Sequence, residues 1–174
     1  GCKGCKRECA NQVDMAAIKI EYQAQRNAAL GVLWREQLFA GLPRLLRQRP
    51  WLRRLTLWRN ASPVLSRLGE RWLGIAASRT LPVPAAQAYQ PPPVSSAPSE
   101  RRVLLLVDTF ASHFEPRIAQ AAYAVLHAAG YQVEVLRPLA DDAEPSRSLC
   151  CGRTYLSLGQ VEAARAEAVR LHAA

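Results

Sequence analysis

The stretch Arg101–Leu136 reads RRVLLLVDTFASHFEPRIAQAAYAVLHAAGYQVEVL, and its change of period decides the fold of its half of the chain. Val103-Leu104-Leu105-Leu106-Val107 is a continuous apolar run, the pattern of a strand buried on both faces. Glu115-Pro116 then opens a helix with proline at its first position, where the missing N–H costs nothing, and Gly130 closes it. From Tyr131 to Leu136 apolar and polar residues alternate, as in a second strand. Strand, helix, strand in that order predicts a βαβ unit with parallel strands and a right-handed crossover. Two strands do not make an independent sheet. The expectation is therefore an incomplete α/β domain whose sheet is finished by residues outside this sequence. After a loop with Pro138 and Pro145 come Leu149-Cys150-Cys151-Gly152-Arg153 and a helix expected over Gly159–His172.

Upstream, Leu81–Ser99 reads LPVPAAQAYQPPPVSSAPS. Proline fixes φ and removes a donor, so residues 81–100 should form an extended linker rather than a helix or a central strand. Before it the pattern is helical. Asp14 is placed to cap a helix over Met15–Leu30 that Gly31 stops. Further helical segments are expected over Val32–Ala40, over Pro43–Trp58 with Pro50 as a break, and from Pro63, capped by Ser62, to Ala77. The fold class is α plus α/β: a small all-helical module over 1–80, a Pro-rich linker over 81–100, and a partial α/β domain over 101–174.

Composition bounds the function. The 174 residues are 49% hydrophobic, enough for a buried core and against wholesale disorder. Arginines interrupt every candidate for the ~20 apolar residues a membrane span needs. The start, Gly1-Cys2-Lys3-Gly4, has no initiator Met and no apolar leader, so the expected location is cytoplasmic, with any membrane contact at the inner face. The net charge of +9 is unevenly spread. Residues 1–80 hold 15 basic and 5 acidic side chains, whereas residues 81–174 hold 8 and 9.

The five cysteines are clustered: Cys2, Cys5 and Cys9 at one end, Cys150 and Cys151 near the other. An odd, clustered set is a poor disulfide framework and a better ligand set. Cys2-Lys3-Gly4-Cys5-Lys6-Arg7-Glu8-Cys9 has the spacing C-x2-C-x3-C, which matches in order the last three cysteines of the bacterial ferredoxin run C-x2-C-x2-C-x3-C-P. The first cysteine of that run would precede Gly1, and Ala10 stands where the run has proline. Small residues at Gly1 and Gly4 let successive thiolates turn into one pocket, and Lys3, Lys6 and Arg7 would offset the charge of a thiolate-ligated [4Fe–4S] cluster. Zinc and unligated thiols are the alternatives. A structural zinc site usually has two C-x2-C knuckles, and only one is present.

Adjacent cysteines rarely bond to each other, because the small ring strains the peptide. With Gly152 beside them, Cys150 and Cys151 suit a turn at the edge of a second cluster or redox site. Two small buried hydrophobes are the other reading.

Together these residues resemble a known family. Gly1–Cys9 followed by Val13-Asp14-Met15-Ala16 looks like the second cluster motif in the iron–sulfur portion of FAD-linked D-2-hydroxy-acid dehydrogenases, of the glycolate oxidase iron–sulfur subunit type. Val107-Asp108-Thr109-Phe110, His113-Phe114-Glu115-Pro116 and Leu149-Cys150-Cys151-Gly152-Arg153-Thr154-Tyr155 resemble the Cys-Cys-Gly cysteine-rich domain that follows in the same family. The resemblance brackets the chain and is weakest over its Arg- and Trp-rich middle. It implies a ferredoxin-like helical module with a 4Fe-4S cluster on Cys2, Cys5 and Cys9, and a second cluster or redox site at Cys150 and Cys151. It also implies FAD on a missing domain or partner subunit that oxidises a 2-hydroxy acid such as glycolate, D-lactate or D-2-hydroxyglutarate, and a quinone or cytochrome that accepts the electrons. No FAD-binding segment is present, so the chain reads as the relay part of an oxidoreductase, a fragment that is not catalytic alone. It departs from the family in lacking the first motif cysteine and the further cysteines expected on either side of the pair.

Between the two cysteine sets, Arg44, Arg47, Arg49, Arg53, Arg54, Arg59, Arg67 and Arg71 interleave with Leu45, Leu46, Trp51, Leu52, Leu55, Trp58 and Trp72. Such a surface suits peripheral membrane contact or an acidic partner, or is a solvated face on packed helices. No zinc finger, RNP motif or helix-turn-helix supports nucleic acid as partner. A non-catalytic basic binding module, its cysteines holding zinc or nothing, is the alternative function. His113, His127 and Asp108 lack accompanying motifs and read as structural. There is no G-x-S-x-G, P-loop or G-x-G-x-x-G to support hydrolase or nucleotide chemistry.

Overall fold

The structure is a computed structural model that describes residues 4–11, 13–46, 50–93 and 101–174. The chain packs as two compact units. One joins the chain up to Leu42 with Cys150–Ala173, and the other runs from Pro43 to Leu149.

The first unit contains α1 (Gly4–Glu8), α2 (Met15–Leu30), α3 (Trp34–Ala40), α9 (Arg153–Ser157) and α10 (Val161–Ala173). α2 forms where its local signals place it. Asp14 Oδ1 accepts from Ala17 N at 3.0 Å, satisfying one of the unpaired donors of the first turn, and Gly31 ends the helix. Lys6 reaches the same carboxylate of Asp14 at 3.4 Å and ties α1 to the start of α2. The core of the unit is small: Ala40, Tyr155 and Ala164 are buried together, with Leu158 and Ala163 packed against them. α2 joins through polar and backbone contact. Asn27 Nδ2 donates to Leu158 O at 2.7 Å. Gly159, at φ +72°, approaches so closely that a Cβ there would lie 2.5 Å from Ala24 N. Only glycine fits both that conformation and that approach.

The second unit contains α4 (Leu42–Leu46), α5 (Pro50–Ala61), α6 (Pro63–Leu73), β1 (Arg102–Leu105), α7 (Thr109–His113), α8 (Pro116–Ala128) and β2 (Gln132–Val135). The expected helix over Pro43–Trp58 is thus α4 and α5, and the one expected to reach Ala77 stops at Leu73, where Gly74 takes the left-handed C-cap. Ser62 caps α6 through Leu65 N at 3.3 Å.

β1 and β2 pair in parallel, with Val103 opposite Val133 and Leu105 opposite Val135, and α8 connects them. The mix of helical and α/β parts follows the sequence. The burial of β1 does not. The apolar run was expected to be covered on both faces, yet Leu104 is 61% exposed and the strand alternates. A two-stranded sheet has one covered face here, and the continuous run marks a second face that no described residue covers. α7 was not expected. It forms because Asp108 Oδ1 accepts from Ala111 N at 2.7 Å directly after the strand.

The proline-rich stretch has neither helix nor strand over residues 80–93 and is anchored, and residues 94–100 of the expected linker lie outside the described residues. Ala85 N donates to His113 O at 2.7 Å, Tyr89 N to Ser112 O at 2.8 Å, and Tyr89 is buried.

Candidate functional site

Of the cysteines singled out by the sequence, Cys2 and the side chain of Cys5 lie outside the described residues. The Cys5 backbone belongs to α1, and Cys9, half-buried, follows that helix directly. Cys9, Cys150 and Cys151 are thiols. Among the described residues no group of three or more His, Cys, Asp or Glu side chains is gathered as a metal would need.

Cys150 and Cys151 point to different surroundings: Cys150 is 8% exposed, whereas Cys151 is at the surface. The turn that follows them depends on Gly152, at φ +75°, where a Cβ would stand 2.5 Å from Ala164 O and 3.1 Å from Ala164 Cα. α9 begins at the next residue, with Leu156 N donating to Gly152 O at 3.0 Å. The turn is therefore pressed onto the first turn of α10.

The cysteine-bearing ends of the sequence thus fall in one compact unit. α1 and α2, which carry and follow Cys5 and Cys9, share that unit with the Cys-Cys-Gly turn and the helices behind it. Two contacts make the join: Asn27 to Leu158 O, and Gly159 against Gln23 and Ala24. Neither could be read in the sequence, because the partners lie more than 130 residues apart.

In the second unit the loop before Leu149 is pinned by charge. Arg147, 3% exposed, donates from Nε to Glu144 Oε2 at 2.8 Å, and Arg44 Nε reaches the same oxygen at 3.2 Å. Burial pushes the Glu144 carboxyl up, but Arg147 and Arg44 outweigh it and hold its pKa below the usual value. His113 is half-buried with Nε2 2.9 Å from Ser148 Oγ, and burial lowers its pKa because the charged imidazolium is harder to desolvate. Sequence reading missed Arg147 as a buried cation, since arginine in a loop normally reads as solvated.

Comparison with protein-family models, curated proteins and solved structures finds no match for this chain.

Proposed function

We propose that the chain is the iron–sulfur electron-transfer portion of an FAD-linked oxidoreductase that oxidises a 2-hydroxy acid and passes electrons to a quinone or cytochrome. The observation that supports it best is the shared unit: Cys9, with the helix that carries the Cys5 backbone, and the Cys150-Cys151 pair, about 140 residues away in sequence, belong to one compact body. The donor set fits the group in chemistry. Thiol ligands are soft and suit iron–sulfur ligation better than a hard cation, although no three of the described Cys, His, Asp or Glu side chains are gathered as ligands. Cys2, Cys5 and Cys9 would hold a 4Fe-4S cluster, with Cys150 and Cys151 at a second cluster or redox site. When bound, such a cluster supplies one-electron transfer at a potential tuned by nearby charge and hydrogen bonds. The chain's own part is positional. Lys6 and Arg7 lie in the helix that directly precedes Cys9, with Lys6 paired to Asp14 at 3.4 Å. Next to Gly152, Cys150 is buried and Cys151 exposed.

Anaerobic incubation with ferrous iron and sulfide tests this. The expected product contains iron and acid-labile sulfide in equal amounts and gives a reducible EPR signal, and Cys5→Ser or Cys9→Ser abolishes both. A colourless protein with stoichiometric zinc, taking up no iron, refutes the reading.

A further inference from the structure

α5 and α6 bury the wrong faces for ordinary surface helices, which turn an apolar stripe inward and a polar one outward. α5 buries Thr56 and Arg59, while Trp51, Leu55 and Trp58, spaced four and three residues apart, face solvent. α6 buries Ser66, while Val64, Leu68 and Trp72, spaced by four, face solvent. Trp58 and Trp72 are each 71% exposed.

The inversion is held by a satisfied polar network. The Arg59 guanidinium donates to Ala76 O at 3.0 Å, to Asn60 Oδ1 at 3.2 Å and to Arg79 O. Ser66 Oγ donates to Arg59 O at 2.9 Å. Asn60 pairs with Leu81 in both directions, donating to its carbonyl at 2.8 Å and accepting from its N–H at 2.9 Å. These bonds fix which face of each helix turns inward, and they leave the tryptophan stripes outside. A set of large apolar side chains exposed in this way marks an interaction surface.

Charge selects the occupant. Residues 43–80 carry nine arginines and a single acid, Glu70. Arg54, Arg67 and Arg71 are exposed on the same two helices, Arg67 and Arg71 each three residues beyond Val64 and Leu68 in the apolar stripe. Amphipathic aromatic rings with a guanidinium border match the headgroup region of a negatively charged leaflet. Among the described residues no helix is long and apolar enough to cross a membrane, so such a contact lies on the surface.

We propose that the α5–α6 pair is a peripheral docking surface for anionic lipid. Trp51, Trp58 and Trp72 sit at the headgroup level with Leu55 and Leu68, and Arg54, Arg67 and Arg71 lie on lipid phosphates. This surface uses no cysteine and stands whether or not the chain takes up iron.

Vesicle co-sedimentation of the full chain tests it, using phosphatidylcholine alone and phosphatidylcholine with phosphatidylglycerol, each at low and high salt, with tryptophan emission recorded in parallel. The chain should sediment with the anionic vesicles, shift its emission to the blue, and release as salt screens the charges. Arg67→Gln with Arg71→Gln should lower partitioning about thirtyfold, roughly fivefold for each arginine after the first-order coupling of the two is ignored. Trp58→Ser with Trp72→Ser should lower it at least about tenfold. Arg165→Gln, on exposed α10, should leave it unchanged. All five positions are at the surface, and helical circular dichroism checks that each variant is folded. Absence of sedimentation, equal binding to neutral vesicles, or folded tryptophan and arginine variants that bind like the parent would each overturn the proposal. The lipid and salt dependence of the parent decides it without any variant.

Discussion

Gly152→Ala isolates the contact that holds the cysteine turn. An L-residue at φ +75° costs about 1–2 kcal/mol relative to glycine. The added Cβ would also stand 2.5 Å from Ala164 O, a backbone atom in a helix that cannot swing aside like a side-chain tip. Overpacking of this kind costs about 1–3 kcal/mol, for a total near 3 kcal/mol. Gly130→Ala is the control, because Gly130, in the turn after α8 closed by Gly130 N to His127 O and Tyr131 N to Leu126 O, has φ +81° but nothing within 4 Å of its added Cβ. It should lose only the conformational part, about 1 kcal/mol. Urea unfolding measures both. With a slope of about 1–3 kcal/mol/M, Gly152→Ala should lower the midpoint by roughly 1–2 M more than Gly130→Ala does. Alkylation of Cys150 should also accelerate in Gly152→Ala alone. Equal midpoint shifts in the two variants would refute the close approach as the reason for glycine at this position.

Other consequences are open to measurement. Iodoacetamide should modify exposed Cys151 well before buried Cys150, and mass spectrometry of timed digests would reveal the reverse order if the divergence were absent. Glu144→Gln leaves Arg147, 3% exposed, without its carboxylate and should cost about 2 kcal/mol, less than a fully buried pair because Glu144 is partly solvated. Because the folded pKa of Glu144 lies below the ordinary 4.5, this stability is present above that pH and fades as pH falls beneath it, so parent and variant should converge in acid. His113 acts in the opposite sense from a paired base. Its folded pKa lies below 6.5, so under that pH the unfolded chain gains a proton that the folded chain resists, and stability drops as pH falls. His113→Gln should flatten that slope, and an unchanged slope would contradict it. Finally, iron loading should raise amide-exchange protection in α10 as well as α2, since both belong to one unit; protection confined to α2 would uncouple them.

What the sequence makes legible is local. Asp14 and Gly31 bound α2 because a cap and a stop act within a few residues, and Pro116 and Gly130 bracket the helix between the strands in the same way. The motif spacing of Cys2, Cys5 and Cys9 is readable for the same reason. What escapes is decided by distant partners. The run Val103–Val107 has the composition of a strand covered on both faces, but covering is a property of neighbours, and Leu104, beside Glu134 on the paired strand, stays 61% exposed. Gly152 is visible as a glycine, yet the close approach that excludes a Cβ there comes from Ala164, twelve positions on. The joining of α2 to the Cys-Cys-Gly end rests on Asn27 and Gly159, which carry no pattern of their own.

The α5–α6 pair carries the same lesson to the question of function. Periodicity reveals two stripes on each helix but not which one turns inward. Hydrophobic burial alone would have chosen Trp51, Leu55 and Trp58, and the fold instead spends its interior on Thr56, Arg59 and Ser66. A buried guanidinium is tolerable because Ala76, Arg79 and Asn60 supply acceptors, and removing those acceptors would leave an unpaired buried charge. The network therefore offsets a local conflict that hydrophobic burial inside the chain does not resolve. A sequence that breaks the usual inward rule on two successive helices and leaves Trp58, Val64, Leu68 and Trp72 exposed presents an apolar surface that a partner outside the polypeptide would cover. With nine arginines and one acid around those helices, a negatively charged surface is the complement they fit.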